Sequence, residues 1–252
     1  MKVDFIGIGF NRSGTSWIAK CLDEHPEICV SRPKETFYYS NDYFRGPEYH
    51  ECCFDHCEAG AKVRGEFTPS YIYTKKSLQL IKEDHPEAKI LVSVRDPLDR
   101  TISHINHHRR KGKYKFQDIR TIIKEHKIYK EYSCHEKYIA RARKILPDLH
   151  VFYIKDDEKV IRELYKLLGV DPNFNPPSLR GDVNVNKYFI DNLFLRYLGI
   201  LLPKTRLFLR KVDRILFKRK IKELQAIQDD YTKNNLDIRD IKEDRSNRTV
   251  IK

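Results

Sequence analysis

Short apolar runs alternate with amphipathic stretches along the first 170 residues. Val3–Gly9 (VDFIGIG) is apolar, rich in strand formers and closed by glycine, which predicts a buried parallel strand. Ser13–Glu24 carries Trp17, Ile18, Cys21 and Leu22 at helical spacing and stops at His25-Pro26. Ile28–Val30 and Val63–Glu66 read as short strands, and an irregular or helical excursion over Asp42–Glu58 lies between them. Lys75–Asp84 predicts a helix that ends at His85-Pro86. Lys89–Arg95 (KILVSVR) is the clearest strand pattern in the chain. Asp96-Pro97 then supplies a helix N-cap followed by a first-turn proline, which predicts a helix to about Arg110. Further helices are expected over Ile119–Glu125 and Tyr132–Ile145, a strand over His150–Ile154, and a helix over Asp157–Leu168 closed by Gly169.

Strands that alternate with helices imply an α/β fold: a doubly wound, mostly parallel sheet flanked by helices. From Asn184 the pattern turns helical and basic. The expected organisation is a core over 1–183 and a basic helical C-terminal appendix over 184–252, an extension of the same domain. The formal net charge of +13 in 252 residues favours an anionic partner. A solvated, lysine-rich surface accounts for such a charge equally well.

The chemistry is concentrated between the first strand and the first helix. Gly9-Phe10-Asn11-Arg12-Ser13-Gly14-Thr15-Ser16 has two glycines five residues apart, in the strand–loop–helix context of a phosphate loop. Such a loop turns backbone N–H groups and a helix N-terminus toward one anion. The lysine that follows the second glycine in nucleotide triphosphatases is replaced by Thr15, and the cation is Arg12, inside the loop. That set suits a single phosphate with a group attached. A second basic element follows the fourth strand pattern, where Arg95 ends the strand. Arginine offers a phosphate two parallel donors.

These segments resemble the sulfotransferases that use 3′-phosphoadenosine-5′-phosphosulfate (PAPS). In that family a basic residue followed by Ser/Thr-Gly-Thr-Thr/Ser binds the 5′-phosphosulfate, and Arg12-Ser13-Gly14-Thr15-Ser16 matches it with Arg for the commoner Lys. The family's strand-terminal Arg and later Ser bind the 3′-phosphate, and Arg95 and Ser103 match them. The resemblance runs over roughly residues 3–170. Through His25–Ile28, Lys34-Glu35 and Gly65–Tyr71 it is nearest the glycan-modifying and bacterial branch. It implies a P-loop-like fold, PAPS as co-substrate, 3′,5′-adenosine bisphosphate as product, no metal, and donor-binding residues Asn11, Arg12, Ser13, Gly14, Thr15, Ser16, Arg95 and Ser103. In that branch a glutamate after the second strand is the base, which Glu35 matches. Arg12 is then expected to stabilise charge on the transferred group, and Lys34 to assist. Phe67 stands where glycan members often have Lys, and Glu66 is expected to be structural, paired with a cation under the site. The reaction implied is transfer of the sulfuryl group to a hydroxyl or amine of a glycan, a glycolipid or another hydroxylated small molecule.

Two other readings compete. A P-loop kinase is disfavoured by the missing lysine, and a nucleic-acid-binding protein by the lack of a recognised reader motif, so no nucleic acid is expected. Lys204–Lys222 holds nine Lys/Arg among apolar residues. It reads as a stretch packed by its apolar side on the domain, as a peripheral contact with an anionic membrane, or as a hold for an acidic glycan. With neither a signal peptide pattern nor an uninterrupted apolar span, the chain reads as cytoplasmic or membrane-peripheral. All six cysteines are accordingly expected to be free thiols, and the His50–Cys57 cluster lacks the paired spacing of a zinc site.

Overall fold

The computed structural model describes residues 2–114, 117–154, 157–180 and 250–251. In chain order the elements are β1 (Phe5–Gly9), α1 (Thr15–Asp23), β2 (Ile28–Val30), α2 (Pro47–Glu51), β3 (Val63–Phe67), α3 (Lys75–Asp84), β4 (Lys89–Val94), α4 (Pro97–Arg110), α5 (Ile119–Glu125), α6 (Ile128–Glu131), α7 (His135–Arg143), β5 (Leu149–Tyr153), α8 (Asp157–Leu168) and β6 (Val250–Ile251). The sheet order is β2-β3-β1-β4-β5-β6. The first five strands pair in parallel, and β6 pairs antiparallel with β5. The doubly wound α/β expectation therefore holds. The basic stretch 204–222 and the expected boundary at 183/184 lie outside the described residues.

Side-chain alternation along the strands explains why helices cover both faces. Ile6, Ile8, Ile90, Val92 and Val151 pack with Leu78 and Ile81 of α3 and with Tyr138 and Ala142 of α7. Phe5, Leu91 and Phe152 point the other way, toward Trp17, Ile18 and Leu22 of α1 and Val160, Ile161 and Leu164 of α8. Gly7 makes room in the sheet face for the Phe67 ring, because a Cβ there would lie 2.0 Å from Phe67 Cδ1.

The chain divides into two compact units. Among the described residues the first runs to Thr101 and resumes at Lys130, and the second is Ile102–Tyr129. The second has its own apolar centre of Ile105, Ile119, Ile122, Ile123 and Tyr129. In the first, α4 begins as the sequence predicts. Asp96 Oδ1 accepts from the backbone N–H of Leu98 at 2.9 Å and of Asp99 at 3.1 Å, satisfying two of the helix's unpaired first-turn donors.

Candidate active site

The loop from Phe10 to Gly14 leaves β1 at the carboxyl edge of the sheet, where open α/β folds bind ligands. The Phe10 backbone N–H donates to Ser93 O at 3.0 Å, which ties the loop's first residue to β4. Arg12 (φ 70°) and Gly14 (φ 79°) are both left-handed. Alternating backbone hands of this kind gather N–H groups into a concavity suited to an anion. Helix α1 starts at Thr15 with Gly14 as its N-cap and no side-chain cap bond, so its first-turn N–H groups face the loop. The Ser13 hydroxyl is fully buried and has no hydrogen-bond partner among the described residues. A buried hydroxyl without a partner is costly, and a phosphate or sulfate oxygen in the loop would satisfy it. The loop's residues thus fit an anionic group.

Lys34 and Glu35 follow β2 and lie beside this loop. The Lys34 Nζ donates to Ser16 Oγ at 3.3 Å and is 3.0 Å from Glu35 Oε1. Glu35 remains about a third exposed, so its carboxylate is open to solvent and to an incoming group. Of the three aromatics that follow, only Phe37 is exposed. Tyr38 and Tyr39 are both buried in the core. The Tyr38 ring stacks on His50 at 4.6 Å, and Tyr39 packs edge-on against Tyr71 at 5.5 Å.

Beneath Glu35 lies a closed polar cluster. Glu66 is fully buried, and its carboxylate accepts from Thr36 Oγ1 at 2.5 Å and Thr68 Oγ1 at 2.9 Å. His50 Nε2 is 3.1 Å from its other oxygen. His50 is buried as well and stands beside Glu66 where a cationic partner was expected. Burial, then the Glu66 charge, hold the Tyr71 phenol above its ordinary range, so it stays protonated and available as a donor. The sequence reading singled out neither Thr36 nor His50 in this role, because nothing local distinguishes a buried threonine from an exposed one.

Arg95 follows β4 directly and is partly exposed, with its guanidinium 3.6 Å from Asp99 Oδ2. Ser103 is buried on α4 and belongs with the second compact unit. The structure also points to Arg100 and His135, which sequence reasoning missed. Arg100 is fully buried on the first turn of α4, and its Nε donates to Ser133 Oγ at 2.7 Å. Ser133 Oγ in turn donates to Pro97 O at 3.1 Å. The His135 ring lies 4.3 Å from the Phe10 ring, under the phosphate loop. Burial, reinforced by the Arg100 charge, holds its pKa down to about 3, so it is neutral at ordinary pH.

The cysteine expectation needs correction. Cys29 and Cys57 form a disulfide, while Cys21, Cys52, Cys53 and Cys134 form none. The reading rested on compartment rather than proximity, and β2 brings Cys29 beside the segment that leads into β3. The donor atoms of Cys29, His56 and Cys57 lie within 4.8 Å of one another. The two sulfurs are bonded to each other, however, and so do not present thiolates to a metal.

Comparison with known proteins bears on this geometry. The family model of the sulfotransferase domain matches residues 2–184. This chain belongs to the sulfotransferase domain family. The phosphate loop, Lys34–Glu35 and the segment from Arg95 to Ser103 all fall inside the matched span. A membrane-associated sulfotransferase, kil1, of Dictyostelium discoideum is 31% identical over 102 residues, covering 40% of this chain and 22% of that protein. The heparan sulfate glucosamine 3-O-sulfotransferase 5 of Mus musculus is 26% identical over 194 residues, covering 71% of this chain and 55% of the relative. The chain thus spans from about a fifth to about half the length of these curated relatives. Among solved structures, a sulfotransferase from Alicyclobacillus acidocaldarius superposes with a TM-score of 0.64 at 21% identity, covering 71% of this chain and 85% of the other. That likeness concerns the fold. Among the described residues no helix is long and apolar enough to cross a membrane.

Proposed function

We propose that this protein transfers the sulfuryl group of PAPS to a hydroxyl group of a carbohydrate acceptor. The observation that carries the reading is the meeting of the phosphate loop with Lys34 and Glu35. An anion-binding concavity with an unsatisfied buried Ser13 hydroxyl lies beside a half-open carboxylate. The family match supports PAPS as the donor. The heparan sulfate relatives support a carbohydrate acceptor.

PAPS supplies an activated sulfuryl group on a phosphate leaving group. Asn11–Ser16 would hold its 5′ end through loop N–H groups and the Ser13 hydroxyl, with Arg12 neutralising the charge that gathers as the bridging bond breaks. Arg95 and Ser103 would take the 3′-phosphate. Glu35 accepts the acceptor hydroxyl proton while the new O–S bond forms and the S–O bond to the 5′-phosphate breaks. Lys34, between Ser16 and Glu35, holds the carboxylate beside the loop. No step in this scheme calls on a metal ion. Positioning and electrostatics carry the rate, as in phosphoryl transfer.

The test pairs thermal stabilisation with a transfer assay. The protein should be stabilised by 3′,5′-adenosine bisphosphate in the presence of a chelator. It should move radiolabelled sulfate from PAPS onto chemically desulfated heparin or a simpler glycan in a panel that includes phenols and lipids. Stabilisation only by ATP with magnesium would overturn the reading in favour of a kinase. Label appearing on the phenols alone would overturn the carbohydrate assignment.

A further inference from the structure

Glu66 lies outside the reaction scheme above, yet its surroundings are organised toward Glu35. A carboxylate only accepts hydrogen bonds. The Thr36 and Thr68 hydroxyls must therefore turn their protons inward, to Glu66 Oε2 at 2.5 Å and 2.9 Å. The Tyr71 hydroxyl sits 3.4 Å from both carboxylate oxygens and 3.0 Å from Thr36 Oγ1, so its proton is directed into the same cluster. With their protons committed, these three oxygens have lone pairs left, and each accepts from a backbone N–H. Thr68 Oγ1 accepts from Thr36 N at 3.1 Å, Thr36 Oγ1 from Tyr38 N at 3.3 Å, and Tyr71 Oη from Tyr39 N at 3.2 Å. One buried negative charge thus sets the direction of three hydroxyls, and these hold the backbone of residues 36–39. That segment starts at the residue bonded to Glu35.

We propose that Glu66 is a positioning residue for sulfuryl transfer, acting through Thr36, Thr68 and Tyr71 to fix the backbone that carries Glu35. The proposal rests on the reading of Glu35 as the base. His50 completes the arrangement: its Nε2–H meets Glu66 Oε1, and its ring is stacked under Tyr38, the middle of the held segment. The site of action is fixed by this connectivity. Glu66 belongs to the sheet through β3, which pairs with both β1 and β2, so it is a rigid reference for the loop above it. Replacing its carboxylate by an amide introduces an N–H donor. One of the donors that now point at the carboxylate, a threonine hydroxyl or the His50 Nε2–H, must then turn away, and the hold on residues 36–39 loosens.

The experiment measures two quantities for each variant. One is the dissociation constant of 3′,5′-adenosine bisphosphate by calorimetry. The other is the single-turnover consumption of PAPS with desulfated heparin present, counting sulfate on the glycan and free sulfate together. Glu66→Gln and Thr36→Val should slow turnover about 10- to 100-fold and leave the dissociation constant within about twofold, the loss expected of a misplaced general base. Thr36→Ser, which restores the hydroxyl, should recover most of the rate. In a Glu35→Gln background, Glu66→Gln should add little, since its effect runs through Glu35. Equal slowing in both backgrounds would overturn the proposal, as would a folded Glu66→Gln protein with normal turnover. If Glu66→Gln does not fold, Thr36→Val and Thr36→Ser carry the same comparison: a normal rate in Thr36→Val overturns the proposal, and a slowed rate restored by serine supports it. Normal turnover by Glu35→Gln alone would instead remove the base assignment on which the proposal stands.

Discussion

Lys34 reaches across from the loop after β2 to Ser16 on the first turn of α1, with its Nζ 3.3 Å from the serine Oγ. The same ammonium is 3.0 Å from Glu35. One flexible cation thus joins the anion-binding loop to the carboxylate proposed to act on the acceptor. The ion pair is partly exposed and contributes little to stability, about 0–1 kcal/mol. Its value is in placement, and Lys34→Met should slow transfer by more than it lowers the melting temperature. A parallel loss of both would assign Lys34 to folding alone.

Removing the base separates donor binding from chemistry. Glu35→Gln should keep the affinity for 3′,5′-adenosine bisphosphate and reduce single-turnover transfer by about 10²–10⁴-fold. Arg12→Ala should damage both, because Arg12 lies within the loop itself. If the two variants behave alike, the division of labour between them is wrong.

Arg95→Ala should weaken donor binding by about 2–4 kcal/mol, the cost of removing one member of a charged hydrogen-bonded pair. Calorimetry checks this. Asp99, 3.6 Å from the guanidinium, already occupies it in the free protein. Asp99→Asn should therefore free the arginine and leave donor affinity unchanged or tighter.

The disulfide encloses the stretch that carries Lys34, Glu35 and His50, its two cysteines 28 positions apart in sequence. Cross-linking a loop of that size restricts the unfolded chain by about 3–4 kcal/mol. Reduction, or Cys57→Ser, should lower stability in denaturant by about that amount. Thiol titration of the unfolded protein should find four thiols before reduction and six after.

Stability should also respond to acid through His135. Its folded pKa of about 3 lies below the ordinary histidine value of 6.5. Between those values the unfolded state binds the proton and the folded state does not, so folding weakens as pH falls through that window. The slope from this one group is at most about 1.4 kcal/mol per pH unit. His135→Leu should flatten the fall in urea midpoint between pH 6.5 and 4. An unchanged slope would place the acid sensitivity elsewhere.

Much of the fold was written locally. The strands Ile28–Val30 and Lys89–Val94, the helices Lys75–Asp84, Ile119–Glu125 and Asp157–Leu168, and the Asp96 cap all follow from hydrophobic period, a proline or a capping side chain. These signals act between residues a few positions apart, so a linear reading captures them. The phosphate loop was legible for the same reason: its glycines, arginine and hydroxyls are consecutive. What only the tertiary structure decided are the meetings of distant residues. Cys29 bonds Cys57, Glu66 gathers Thr36, His50 and Tyr71, and His135 slides beneath Phe10. Tyr38 and Tyr39 follow Glu35 within a few residues, and they belong to the core because the distant His50 and Tyr71 rings pack against them. Burial and charge pairing at such points depend on how parallel strands bring separate segments together, and no window of neighbouring residues contains that information.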